Sequence, residues 1–226
     1  MIVTDRFVFL HLHKSGGRFI AEGLRRHVPG ARAIGYHLPA RFIPPEAGGL
    51  PVLGLVRNPW SYYLSWFSFQ RARPRPNALF RLASDDGRLD FNRTVHRLLD
   101  LGRDDELLGR TVAALPDRYG GEGLNLPGFA LAGIRGTGLG FYAWLYGYLH
   151  AGAGVRVARL EHLADEAGAL FEAAGAPPAF LDYLRTAPPL NRSDHGATAS
   201  YYDAALRERV AAADAAVIDA HGYSFG

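Results

Sequence analysis

The chain contains no cysteine, and its one methionine is residue 1. Disulfides, thiolate nucleophiles and cysteine-ligated zinc are therefore excluded, and cysteine usage leaves the redox compartment undetermined. No apolar run approaches the roughly 20 residues needed to span a bilayer. Asp5 and Arg6 interrupt the opening residues where a signal peptide would build its apolar segment. These absences lead us to expect a soluble, cytoplasmic protein with no stable membrane insertion. Lysine is almost missing too: of 25 lysine and arginine residues, only Lys14 is lysine. A net charge of +3 suits an anionic ligand. The arginines are scattered apart from Arg71-Ala72-Arg73-Pro74-Arg75, so no nucleic-acid footprint is present.

At 226 residues the chain is long enough for one domain with a substantial core, extended by an insertion. Phe7 to Leu12 is short, β-branched and aromatic, which predicts a buried strand. Ser15-Gly16-Gly17 predicts a turn, and Arg18 to Val28 has the periodicity of a helix. A short strand is expected near Ala33 to Tyr36, and a buried one over Pro51 to Val56. Asn58 is a good N-cap and Pro59 a good first helical residue, so a helix should run from Pro59 to Arg71. Residues 78 to 115 read as helices with polar loops, and the glycine-rich 119–140 as a long loop, lid or substrate segment. A helix over Leu139–His150, a strand over Val155–Leu160 and helices over Leu163–Ala174 and Ala179–Arg185 follow. A single last helix is expected over Tyr201–Ala220. Strand–helix alternation predicts a three-layer α/β fold with a mostly parallel central sheet flanked by helices. The organisation expected is one domain, residues 1–226, with a helical and glycine-rich insertion at about 73–140.

Ligands of open α/β sheets bind beyond the carboxyl ends of the strands. Two turns, His13–Gly17 and Arg57–Pro59, lie at such ends and lead into helices, where free backbone N–H groups and the helix dipole favour an anion. In the first, Gly16 and Gly17 let the backbone approach a tetrahedral anion, Ser15 offers a hydroxyl and Lys14 a compact charge. The order is not that of a Walker A loop, whose glycines precede its lysine. A tight turn carrying a surface lysine is the competing reading. In the second, Ser61, Ser65 and Ser68 form a polar stripe beside the strand-end Arg57, a seat for a second phosphate or a means of close helix packing. Tyr62, Trp66 and Phe69 should face the core. His11 and His13 alternate along the first strand, and packing or hydrogen bonding fits them better than a metal.

Together these segments resemble sulfotransferases that use 3′-phosphoadenosine 5′-phosphosulfate (PAPS), especially the carbohydrate-modifying branch as found in bacterial-type members. Phe9-Leu-His-Leu-His-Lys-Ser-Gly-Gly-Arg-Phe-Ile20 resembles that family's 5′-phosphosulfate loop. Val56-Arg-Asn-Pro-Trp-Ser-Tyr-Tyr-Leu-Ser65 resembles its 3′-phosphate motif, an arginine and a serine eight positions apart. Arg159-Leu-Glu-His-Leu163 looks like a shared strand-end segment, and Leu190-Asn-Arg-Ser193, with Tyr201-Tyr202 and a final helix, like the C-terminal cofactor loop. The middle third matches nothing in the family. The resemblance implies a P-loop-like fold. It implies that Lys14 steadies charge on the departing bisphosphate, that the amides of Ser15, Gly16, Gly17 and Arg18 cradle the 5′-phosphate, and that Arg57 and Ser65 hold the 3′-phosphate. The resemblance likewise implies that Asn191, Arg192 and Ser193 complete the donor site. Arg18 stands where the family usually has threonine or serine, so it either reaches the anion itself or a hydroxyl contact is lost.

Sulfuryl transfer to an alcohol needs a proton acceptor, and histidine is the natural one near neutral pH. His37, 20 residues before Arg57, lies in the region where related sulfotransferases carry a catalytic histidine or glutamate; His195 is its rival. The reading is therefore in-line transfer from PAPS to a hydroxyl acceptor, a carbohydrate by resemblance, with Lys14 and His37 as catalytic residues and no metal. The alternatives are a kinase-like P-loop enzyme that binds nucleotide with Mg²⁺, and an inactive nucleotide-binding protein. Oligomeric state is not legible.

Overall fold

A computed structural model describes the chain except residues 121–122, 189–195 and 226. Five strands are described: β1 (Ile2–Val3), β2 (Val8–Leu10), β3 (Arg32–Ala33), β4 (Val52–Val56) and β5 (Arg156–Arg159). The helices are α1 (Gly17–His27), α2 (Pro59–Arg71), α3 (Ala78–Ala83), α4 (Phe91–Leu99), α5 (Asp105–Ala114), α6 (Gly128–Leu131), α7 (Phe141–His150), α8 (Gly168–Ala173), α9 (Pro178–Thr186), α10 (Ala204–Ala213) and α11 (Ala215–His221). The chain divides into two units. One comprises Met1–Arg57 and Tyr146–Arg192; the other comprises Asn58–Leu145 and Ser193–Gly226. The stretch 73–140 falls wholly in the second unit.

The first unit is α/β and holds the sheet, in the order β3-β1-β2-β4-β5. β2, β4 and β5 run parallel, with Leu10 opposite Gly54 and Val56 opposite Arg159. β1 is antiparallel to both β2 and β3, so the sheet is mixed and parallel order holds only for these three adjacent strands. The expected fold had no strand at residues 2–3, and the cause is local. A hairpin turns on Asp5-Arg6, closed by Thr4, whose Oγ1 donates to the Phe7 carbonyl oxygen (2.8 Å) and accepts from the Phe7 N–H (2.9 Å). A connection this short joins only antiparallel strands.

Successive strand residues alternate between the two faces. Ile2, Phe9, Leu53, Leu55 and Ala158 pack with Phe19, Ile20 and Leu24 of α1, Phe171 of α8 and Phe180 of α9. Val3, Val8, Leu10 and Val52 pack on the opposite face with Ala40 and Ala47. Two-sided burial is what a parallel sheet core requires.

The second unit is helical. α2 starts as predicted, with the Asn58 side-chain oxygen accepting from the N–H groups of Trp60 and Ser61. It is buried nearly all round. Trp60, Tyr63, Leu64 and Phe67 are inside along with Tyr62 and Trp66, whereas Phe69 is only half-buried, so the expected single core face is wrong. The glycine-rich stretch after residue 119 is not a plain loop. It contains α6 and a 3₁₀ turn over Ala132–Ile134, with Leu131 and Ile134 fully buried. Gly128 permits this, because a Cβ there would lie 2.4 Å from the Val112 carbonyl oxygen. The last helix is also corrected: it begins at Ala204 and breaks at Asp214 into α10 and α11. Among the described residues no helix is long and apolar enough to cross a membrane.

Candidate functional site

The carboxyl ends of β2, β4 and β5 lie along one edge of the sheet, because these strands are parallel. After β2 the chain turns through residues 11–16 into α1. Lys14 has φ +55° and Gly16 φ +74°, both left-handed, so the turn is tightly wound and strained at its lysine. A Cβ at Gly16 would lie 2.5 Å from Leu160, which follows β5 and packs on the turn. A Cβ at Gly17 would lie 1.7 Å from the His11 ring, so only glycine lets α1 start there. Among the described residues no side chain caps α1, whose N-cap is Gly16, and no acid occupies its first turn. Arg18 instead places a cation at the positive end of the helix dipole, an arrangement unfavourable until an anion joins it.

Arg57 follows β4 directly and donates from Nη1 to the Lys14 carbonyl oxygen at 3.0 Å, tying the two strand-end turns together. Burial first, then the like charges of Arg57 and Arg18, lower the Lys14 ammonium from the ordinary 10.5 to about 8. Lys14, Arg18 and Arg57 therefore form one cationic cluster. The Ser15 hydroxyl is not offered outward: it is buried and donates to the His13 carbonyl oxygen at 3.2 Å. That corrects the expectation of a hydroxyl contact there and leaves Ser15 only its backbone N–H. After β5, Arg159 is engaged by Glu166 through its backbone N–H, Nε and Nη2.

His37 is 5% exposed and also left-handed, at φ +49°. Its Nδ1 lies 2.7 Å from the His11 carbonyl oxygen. A carbonyl only accepts, so Nδ1 carries the hydrogen and Nε2 holds the lone pair of the neutral ring. Burial, then the charges of His13 and His11, hold His37 well below the usual histidine range, so it is neutral at physiological pH. Tyr36, His11 and His13 surround its ring.

Lys14, Ser15, Gly16, Gly17, Arg18, His37 and Arg57 thus all fall in the first unit. Ser65 is buried on α2 in the second unit. Asn191, Arg192, Ser193 and the rival base His195 lie outside the described residues. Among the described residues, no group of three or more His, Cys, Asp or Glu side chains is arranged to hold a metal ion. His13 stacks on His37, a contact that nothing in the sequence signals, since alternation along the strand pairs His13 only with His11. No family model matches the chain, and no curated protein or solved structure matches it either.

Proposed function

We propose that the chain is a PAPS-dependent sulfotransferase of P-loop-like fold that transfers a sulfuryl group to a hydroxyl acceptor, with a carbohydrate as the favoured class. The observation that carries this reading is the bond from Arg57 to the Lys14 carbonyl oxygen. It joins two strand-end turns, predicted separately from sequence, into one cationic cluster at the start of an uncapped helix. The residues fit a donor with two phosphate-type ends. The amides of Ser15 to Arg18 and the Lys14 ammonium would hold the phosphosulfate end, and Arg57 the 3′-phosphate. Ser65 is assigned from motif spacing alone. The donor supplies the sulfuryl group, and the rest is electrostatics and proton transfer by this chain. Lys14 holds negative charge where it builds up, and His37 accepts the acceptor hydroxyl proton at Nε2.

Calorimetry with 3′,5′-adenosine bisphosphate, with and without Mg²⁺, tests the reading. Binding unaffected by Mg²⁺, together with turnover of PAPS, supports it. Mg²⁺-dependent ATP binding with no affinity for the bisphosphate moves the site to a kinase-like activity. Bisphosphate binding without transfer to any hydroxyl acceptor leaves a nucleotide-binding protein. His37→Ala should bind the bisphosphate normally and lose transfer; loss of binding would make His37 structural.

A further inference from the structure

The proposed reaction uses one imidazole, yet the structure gathers three. The His37 ring lies 3.5 Å from that of His13 at an interplanar angle of 17°, and 4.2 Å from that of His11 at 45°. His13 and His37 are both buried, at 7% and 5% exposure. The hydrogen bond to the His11 carbonyl oxygen fixes His37 in the plane of this stack. A left-handed backbone at a histidine persists only where its surroundings over-determine it. Here those surroundings are the rings of His13, His11 and Tyr36.

At 3.5 Å and an effective dielectric constant of about 20, Coulomb repulsion would separate the first and second protonations of two stacked imidazoles by roughly three pH units. Most of the other groups acting on His37 and His11 lower their pKa in the same way. The His11 ring and the Met1 amino group, which precedes β1 and donates to the Gly35 carbonyl oxygen, lower His37, Arg18 on α1 lowers His11, and the bond to the His11 carbonyl oxygen alone raises His37. The Tyr36 ring lies edge-on, 4.0 Å from His37. Among the described residues, no carboxylate acts on His11 or His37.

We propose that His13 is a positioning residue for His37: the face-to-face pair takes up a single proton between its two rings, and the neutral His13 face supports the proton that His37 accepts. The proposal rests on the reading of His37 as the base. It gives His13 a task in addition to packing, since a charged His13 would disable proton uptake by its neighbour.

Imidazole NMR of the full-length, histidine-labelled chain tests this without nucleotide or acceptor, with signals assigned through His13→Phe and His37→Phe. In the native chain the His13 and His37 signals should move together in one step as pH falls, with the second protonation about two or more pH units lower. His13→Phe keeps a ring on His37 and should leave His37 a simple one-proton curve with a displaced midpoint. The acid limb of the kcat–pH profile should move by the same amount. Independent titration of the two rings in the native chain overturns the proposal, and that measurement needs no variant to fold. A His37 curve unchanged by His13→Phe overturns it as well. Coupled titration in a chain that binds no bisphosphate upholds the pair and removes the sulfotransferase reading. Turnover with uncoupled rings does the reverse.

Discussion

On the proposed reading, Lys14 concentrates the chemistry of this chain at one residue. A guanidinium cannot replace it: Arg18 and Arg57 already surround the site, and the planar fork needs space and directions that a point charge does not. Lys14→Ala should therefore lower turnover by about 10²–10³, and Lys14→Arg should not restore it; near-normal kcat at saturating donor in either variant removes the role. Its depressed pKa gives a second prediction. The free chain loses this cation as pH rises through about 8, so calorimetric affinity for the bisphosphate should weaken up to about tenfold per pH unit above that point. The effect on stability has the opposite sign. Between about 8 and 10.5 the unfolded chain holds the proton that the folded chain has released, so this group's contribution to stability rises with pH. Lys14 and Arg57 were legible because each sits beside an unmistakable element boundary. The His13–His37 contact was not. It joins residues 24 apart through a left-handed backbone at His37, and no local pattern encodes that.

Legibility at the scale of elements follows the same logic. β4 and α2 could be read because an apolar run ends at a capping asparagine and a proline, both local signals. α6 could not, since four residues make barely one helical turn and carry no period. The break between α10 and α11 is tertiary in origin. Asp214 is fully buried there, with Oδ1 accepting from the Ala143 N–H and Oδ2 from the Tyr63 hydroxyl, both at 2.8 Å. The Tyr63 oxygen in turn accepts from the Tyr142 N–H at 3.1 Å. The start of α7 is thus capped by a carboxylate 71 residues away, one that a last helix running on unbroken would not deliver. Burial raises the Asp214 carboxyl from 3.8 to about 7, although both hydrogen bonds oppose the shift. The folded chain then holds a proton that the unfolded chain has lost, so this group's contribution to stability falls as pH rises between those values. Tyr63 and Tyr202 are the titratable groups facing it, and both are held neutral, their pKa values raised chiefly by burial. Asp214→Asn keeps an oxygen for Ala143 and removes the buried charge. In chemical denaturation it should equal or trail the native chain at pH 5 and exceed it by more than about 1 kcal/mol at pH 8; a pH-independent difference would show that the carboxyl does not titrate in the folded chain.

For the whole molecule, the division into two units turns ligand binding into a test of where the site lies. Every described residue assigned to the phosphosulfate end, and Arg57 beyond it, belongs to the first unit, whereas the Asp214 network belongs wholly to the second. A ligand that binds only the folded state adds about 2.7 kcal/mol at a hundredfold excess over Kd. For a chain of 226 residues, about 2–4 °C per kcal/mol makes that a shift of roughly 5–10 °C in Tm. The bisphosphate should produce this shift without Mg²⁺. Lys14→Ala should remove most of it at the same nucleotide concentration, while Asp214→Asn, which changes the baseline stability of the other unit, should leave it intact. If the units melt as separate transitions, the nucleotide should move only the one that Lys14→Ala desensitises. A shift of equal size in Lys14→Ala would place the nucleotide away from the cationic turn, because a site built on that ammonium must lose affinity with it.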